Sequence, residues 1–334
     1  MGYHKVSICI PTYNGASFLC ETLESALGQT FGDIELLIVD DKSTDGTLDV
    51  ARKYAAFDAR IKVLCNEARL GLANNWNRCL ELASGEWVKF LFQDDHIAPT
   101  CIEELYRFGT QAKVGLVVCD RRFIFGSDVS EDFKDFFMQY VTQYSLRRAF
   151  QERPVIDEVT FSDYVARDPL HNCIGEPTVA LFRRSEGRKI GGFNQYMVQI
   201  VDWEFWVRLG VNSGIAHLAE ELATFRLHGG GTTIKNKGDY KASILDKLII
   251  MHELAYNKHW ANVRASAKVQ GLDYKHQLFL HYENARHMAQ ENPVLIPIWK
   301  DTLANYPKLA SLPITCVGYR LRRKIKHCLN HWGV

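Results

Sequence analysis

The chain has 334 residues, 47% of them hydrophobic and 24% charged, with a formal net charge of +1. That length supports one large or two modest domains with a substantial core, and the composition is that of an ordinary globular protein. The near-neutral balance excludes a protein that grips nucleic acid through its net field.

From residue 5 to about 120, apolar β-type runs alternate with helix-period segments, the pattern of a parallel α/β sheet. The first strand is expected over Lys5–Ile10 and ends in Pro11-Thr12-Tyr13-Asn14-Gly15; a helix follows from Ser17 to Leu27, with Phe18, Leu19, Leu23 and Leu27 on one face. A second strand, Ile34–Val39, ends at Asp40-Asp41, and Ser43-Thr44-Asp45-Gly46 supplies the cap of a helix through Tyr54. Ile61–Leu64 reads as a third strand, Leu72 to Leu82 as a helix, and Trp87–Phe92 as a fourth strand tipped by Asp94-Asp95. Another strand is expected over Val114–Cys119. Residues 126–170 are polar and aromatic without clear periodicity, and read as a mobile insertion over the site. Beyond lie a strand at Thr178–Phe182, the turn Gly191-Gly192-Phe193, a helix from about Trp203 to Leu209 and a last strand over Glu221–His228; after residue 240 the pattern is helical.

The nine cysteines are odd in number and contain no Cys-x-x-Cys, which argues against a zinc knuckle or thioredoxin-like motif. Cys9 and Cys119 sit in apolar runs and read as small hydrophobes, so a reducing cytoplasm is the expected setting. The first strand begins close to Met1, which leaves no room for a signal peptide, and no apolar run approaches the ~18–20 residues that span a bilayer. At the other end Val317, Leu321, Ile325, Cys328, Leu329 and Trp332 recur at helical spacing beside Arg320, Arg322, Arg323, Lys324 and Lys326. This basic amphipathic helix, at about 316–332, suits either an anionic membrane surface or packing on the protein with its basic face solvated.

Three polar or acidic clusters therefore follow three strands directly: Pro11–Asn14, Asp40-Asp41 and Asp94-Asp95. In an open α/β sheet such positions line one ligand crevice, and acidic strand ends suit a metal-bound phosphate. A carboxylate at Asp40 or Asp41 can accept from the N3–H of uracil or thymine, an edge adenine lacks. The plainer account of this pair is a capping turn.

Over roughly residues 5–235 these motifs, with Ala83-Ser84-Gly85-Glu86-Trp87, Gly191-Gly192-Phe193, Asp202-Trp203-Glu204 and Phe225-Arg226-Leu227-His228, resemble the family 2 glycosyltransferases, inverting enzymes of the GT-A fold. The resemblance implies an α/β architecture: a nucleotide-sugar-binding GT-A domain over 1–238, with a central mostly parallel sheet flanked by helices, then a helical region over 239–334. It implies transfer from a UDP- or dTDP-sugar to a glycan or lipid-linked acceptor for a surface polysaccharide, in the cytoplasm or peripherally on the inner face of the membrane, with no nucleic-acid partner. Oligomerisation through the helical tail stays open.

Carried over residue by residue, the resemblance gives Pro11, Thr12, Tyr13, Asn14, Asp40, Asp41, Arg69, Asn77 and Asp94 to the donor. It gives Asp95 and His228 to a divalent Mn²⁺ or Mg²⁺, and Gly191, Gly192, Trp203, Glu204 and Glu176 to the sugar or acceptor pocket. Asp202 becomes the base that takes the acceptor proton, an aspartate expected to be ionised at neutral pH. Three positions depart from the family pattern, two of them Phe92, which stands where the metal motif Asp-x-Asp-Asp begins, and Trp76, which precedes Asn77 where arginine is usual. Val201 likewise replaces the first acid of Glu-Asp-Trp-Glu. These departures motivate one alternative, a non-catalytic sugar-nucleotide or glycan-binding module. A nucleotidyltransferase would need a basic Gly-rich loop after the first strand, and a nicotinamide dehydrogenase Gly-x-Gly-x-x-Gly; neither is present.

Overall fold

The computed structural model describes residues 4–312 apart from 152 and 237. The expected basic helix at 316–332 lies outside the described residues. Strand β1 (Val6–Thr12) is buried at all seven positions, as is β2 (Ile34–Asp40). Near-continuous apolar runs of this kind belong to strands covered on both faces. With β3 (Ile61–Cys65) and β4 (Trp87–Phe90) they form a parallel block in the order β3-β2-β1-β4. The sheet continues through β8 (Ala180–Arg183), β6 (Leu116–Phe125), β9 (Ile215–Leu227) and β5 (His96–Ile97), and β7 (Val155–Ile156) also pairs with β9. Strand β8 runs antiparallel to both neighbours, β4 and β6, and β6 runs parallel to β9. The sheet is therefore mostly parallel, as expected.

Helices α1 (Ala16–Leu27), α2 (Thr47–Ala55), α3 (Leu72–Leu82) and α4 (Cys101–Ala112) connect the early strands. Helix α1 buries Leu19, Thr22, Leu23 and Ala26, a single stripe at helical spacing. Because β1 pairs with β2 on one side and β4 on the other, the chain reverses its direction of travel across the sheet at β1. A crevice opens at the carboxyl ends of strands flanking such a point.

Residues 126–170 differ from expectation. They form α5 (Glu131–Gln143), α6 (Leu146–Phe150), β7 and α7 (Glu158–Arg167). The Ser130, Ser145 and Asp157 side chains cap the three helices. Phe137 of α5 packs its ring against Phe123, Phe125 and Phe225 from the long β6–β9 pair. Its stripe of Phe133, Phe137, Tyr140 and Tyr144 is helical in period, but α5 buries none of its residues, so polar positions obscure the signal.

Helices α8 (Arg184–Lys189), α9 (Val201–Ser213) and α10 (Thr232–Lys235) precede the helical region. That region contains α11 (Asp246–Tyr256), α12 (Ala261–Val269), α13 (Tyr274–Glu291), α14 (Ile296–Asn305) and α15 (Pro307–Ala310). Helix α9 is buried on nearly every face because it lies between the sheet and these helices. Tyr274 of α13 donates its hydroxyl to the Ala166 carbonyl at 3.0 Å, tying the helical region to α7. One continuous core runs from Val6 to Leu312. No helix among the described residues is long and apolar enough to cross a membrane.

Candidate active site

A cleft of about 830 Å³ opens where β1, β2 and β4 end. Pro11, Thr12, Tyr13, Asn14, Asp41, Arg69, Asp94, Glu176, Asp202 and His228 all line it, so ten of the sequence-expected positions converge.

The donor-side wall is built by cross-bracing between turns. The Asn14 N–H donates to Ser43 Oγ at 2.9 Å, and Asn14 Oδ1 accepts from the Thr44 N–H at 2.8 Å. Asn14 has φ of 49°, a left-handed conformation that asparagine tolerates. The Gln93 side chain pairs reciprocally with the Tyr13 backbone, accepting its N–H at 2.8 Å and donating to its carbonyl at 3.1 Å. A Cβ on Gly15 would lie 2.2 Å from Gln93 Oε1, so a larger residue there would displace the Gln93 side chain from the Tyr13 backbone. The Arg69 guanidinium lies 4.1 Å from the centroid of the Tyr13 ring, a cation–π contact at the cleft edge.

The two acids after β2 have different environments. Asp40 is fully buried and accepts from Thr12 Oγ1 at 2.8 Å, Ser43 Oγ at 2.6 Å and the Ser43 N–H at 2.8 Å, bonds that brace the turn after β2, while α2 starts after Gly46 without a side-chain cap. Asp41 faces the cleft. Its Oδ1 accepts from the Leu70 N–H at 2.7 Å and Asn66 Nδ2 at 3.0 Å, and its Oδ2 from the Gly71 N–H at 2.9 Å.

The pair after β4 divides similarly. Asp95 is fully buried beneath the cleft. Its carboxylate accepts from Thr178 Oγ1 and from the Arg226 N–H, the latter at 2.9 Å. Burial, with the Asp94 charge beside it, holds the Asp95 carboxyl well above the usual range. Asp94 is the acid that reaches the cleft, 3.0 Å from His228 Nε2. Behind this pair the Arg226 side chain donates to the Asp94 carbonyl at 3.0 Å and ion-pairs with Glu21 of α1. Arg226 was visible in the sequence only as part of Arg-x-His; the period of two in β9 places it on the face of His228.

No group of three or more His, Cys, Asp or Glu side chains among the described residues is placed to hold a metal ion. Asp94 and His228 supply one hard oxygen and one imidazole nitrogen. A cation that commonly takes one or two protein ligands and fills its shell with phosphate oxygens fits that donor set.

Asp202 stands in the first turn of α9 and accepts the N–H of Trp203 at 2.7 Å. Burial pushes its carboxyl up to about 7; the Trp203 N–H opposes this, and the Glu176 charge adds to it. This departs from the expectation of an ordinary aspartate, because the sequence cannot display how deeply the helix start is buried. Glu176 is ion-paired with Arg121, whose side chain is 14% exposed. The β6–β9 register shifts on either side of Asp120, next to Arg121; bulges of this kind re-aim side chains at functional sites. Arg121 had no signal of its own in the sequence.

The remaining expected positions lie behind the cleft wall. Trp203 is buried and donates its indole N–H to the His171 carbonyl at 3.0 Å. Glu204 pairs with Arg208 at 2.7 Å, with side chains 1% and 5% exposed. Arg208 in turn donates to the carbonyls of Ile190 and Gly192. Gly191 and Gly192 have φ of 94° and 74°. The Asn77 amide accepts the Phe193 N–H at 2.8 Å and donates to its carbonyl at 2.9 Å. Asn77, Gly191, Gly192 and Glu204 thus form a brace for the turn that precedes α9.

A family model described as Glycosyl transferase family 2 matches residues 7–185. An uncharacterized protein of Mycobacterium tuberculosis is 31% identical over 246 residues, which cover 74% of this chain and 74% of that protein. Among solved structures, S. aureus TarS 1–349 in complex with UDP-GlcNAc superposes with a TM-score of 0.60 at 18% identity, covering 91% of this chain and 81% of that one. The mannosyltransferase PcManGT of Pyrobaculum calidifontis, in complex with GDP-Man and Mn²⁺, gives 0.57 at 17% identity, covering 95% and 87%. The fold is GT-A, and with the family model spanning more than half of its length the chain belongs to glycosyl transferase family 2.

Proposed function

We propose that this glycosyltransferase is an inverting hexosyltransferase that moves a sugar from a UDP- or dTDP-sugar to a hydroxyl of a glycan or lipid-linked saccharide in surface polysaccharide biosynthesis. The observation that carries this reading is that Asp202 and the Asp94–His228 pair open onto one cleft. Tyr13 and Arg69 would hold the base ring, and the lone pair left on Asp41 would accept its N3–H. Asp202 takes the proton of the acceptor hydroxyl as that oxygen attacks the anomeric carbon. The bond from that carbon to the diphosphate breaks on the opposite face, and its electron pair leaves with the nucleotide. No enzyme nucleophile is needed.

Asp94 and His228 would hold a divalent cation, which when bound neutralises charge on the departing diphosphate. PcManGT was solved with GDP-Man and Mn²⁺, and TarS with UDP-GlcNAc, which supports a nucleotide-sugar donor and a metal of this kind. The test is thermal unfolding of the whole chain with UDP, dTDP, GDP and ADP, each with and without Mn²⁺. Ligand at ~100 times its Kd adds about 2.7 kcal/mol of stability. A Mn²⁺-dependent shift with UDP or dTDP alone is expected. No shift with any nucleotide would favour the glycan-binding module instead.

A further inference from the structure

Asp202 follows an irregular segment, residues 194–200, that belongs to neither strand nor helix. Gln195, Met197, Val198 and Gln199 of this segment line the cleft and lead directly into α9, in whose first turn Asp202 stands. The N-cap residue of α9, Ile200, supplies no side-chain hydrogen bond. A helix start without such a cap has its direction set from elsewhere.

The helical region does this from both ends of the segment. At its end the Asp246 carboxylate, fully buried at the start of α11, accepts the N–H groups of Val198, Gln199 and Ile200 at 3.1, 2.7 and 3.1 Å. One carboxylate thus fixes three consecutive peptide groups, the last of them two residues before Asp202. Hydrogen bonds to a charged acceptor are roughly twice as strong as neutral ones. Burial pushes the Asp246 carboxyl up to about 6; the three N–H bonds oppose this, and the Asp239 charge adds to it. The group is therefore ionised at neutral pH. At the start of the segment the Asn194 side chain and the Tyr306 hydroxyl are bonded at 3.0 Å. The Tyr306 ring also meets that of Tyr196 edge-on, with centroids 5.5 Å apart.

We propose that Asp246 is the positioning residue of the catalytic base: through the three peptide groups it holds, it sets where the Asp202 carboxylate stands in the cleft. Tyr306 steadies the other end of the same segment. The helical region is then part of the catalytic unit, although Asp246 and Tyr306 lie beyond the residues 7–185 that carry the family match. This rests on the glycosyltransferase reading given above.

The experiment compares the whole chain with its Asp246→Asn variant in two measurements. Amide hydrogen exchange reads the brace and needs no substrate. In the wild type the peptide over 195–203 should exchange at least ~10-fold more slowly than an unstructured segment. In Asp246→Asn that peptide should speed up roughly tenfold, while β1 and β2 stay as protected as before. UDP release from UDP-glucose, UDP-galactose and UDP-GlcNAc with Mn²⁺, with water as acceptor, reads the base. Asp246→Asn should lower kcat roughly tenfold or more, because a small misplacement of a reacting group is costly, and leave the donor KM and the Kd for UDP within about twofold. The pH at which kcat/KM levels off should fall by about one unit or more, because a loosened helix start returns the Asp202 carboxyl to water. Glu176 and Arg121, whose charges also act on that carboxyl, are untouched by the variant.

Unprotected amides over 195–203 in the wild type overturn the brace, whatever the variant does. Faster exchange there with unchanged kcat and pH profile overturns the positioning role and makes the contact a matter of folding alone. Protection lost equally in β1 and β2 does the same. Tyr306→Phe removes a single hydroxyl and serves if Asp246→Asn does not fold; it should lower kcat about threefold, and an unchanged kcat overturns the part played by the helical region. Wild-type protein that binds UDP yet releases none from any of these donors overturns the transferase reading itself, an outcome that the exchange measurement keeps distinct.

Discussion

Trp76 and Phe92 meet at the cleft wall with ring centroids 4.9 Å apart and planes inclined at 36°. They are the two positions where this chain departs from the arginine and the first aspartate of the pattern it resembles. In this chain the two departures touch one another, and the contact between them is aromatic. Phe92→Asp alone places a carboxylate against the Trp76 ring and should cost about 2–3 kcal/mol in urea unfolding. Adding Trp76→Arg should recover about 1 kcal/mol or more of that loss in a double-mutant cycle. Simple additivity would show that the two side chains act separately.

The carboxyl of Asp202 is held at about 7 by burial, and a base works only when ionised. Transfer should therefore rise tenfold per pH unit below about 7 and level off above it, read as kcat/KM across pH 5.5 to 9. Asp202→Asn should lose at least ~10³ in kcat and keep UDP binding within twofold. A flat profile over that range would remove Asp202 as the base.

The two acids after β4 should separate by experiment. Asp94→Asn and His228→Ala should each weaken the Mn²⁺ dependence of UDP binding by tenfold or more, at little cost in stability. Asp95→Ala leaves Thr178 Oγ1 and the Arg226 N–H without their partner and should cost about 2–3 kcal/mol. Calorimetric Mn²⁺ titration with UDP, alongside chemical unfolding of each variant, reads both quantities. Loss of Mn²⁺ dependence in a stable Asp95 variant would return the metal to Asp95.

Far from the cleft, Glu35 on β2 is a source of acid sensitivity. Its carboxylate is 1% exposed and paired with Lys62 at 2.6 Å, and it accepts Ser7 Oγ at 2.5 Å and the Ser84 N–H and hydroxyl at 2.7 Å each. Burial would raise the carboxyl, but the Lys62, Ser7 and Ser84 bonds together outweigh it and lower it to about 2. A depressed carboxyl stabilises the fold above its unfolded value of about 4.3, and that contribution is lost as pH falls from there to about 2. Glu35→Gln should cost about 2 kcal/mol at pH 7 and nearly nothing at pH 2. An equal loss at both pH values would place the effect in shape and not in charge.

The parallel block was legible because β1 and β2 are buried throughout and read as unbroken apolar runs. The converging strand ends were legible for the same reason. Direction within each acidic pair was not: Asp40 and Asp95 look like Asp41 and Asp94 until the sheet decides which face each takes. Strands β6 and β9 run past the expected Val114–Cys119 and Glu221–His228, because polar residues such as Arg121 and Glu220 interrupt their apolar pattern. The two-residue strands β5 and β7 carry too few positions for any period. Gln199 and Asp246 are separated by 47 residues, and only tertiary packing brings them together.

The three hydrogen bonds that already reach Asp41 have a consequence for recognition. Two backbone N–H groups and an amide already occupy three of its acceptor positions before any ligand arrives. What faces the cleft is an acceptor whose remaining direction is fixed by the bonds it already accepts. It would sort nucleotides by whether their edge offers a single N–H at the right angle, and that choice should be nearly indifferent to ionic strength.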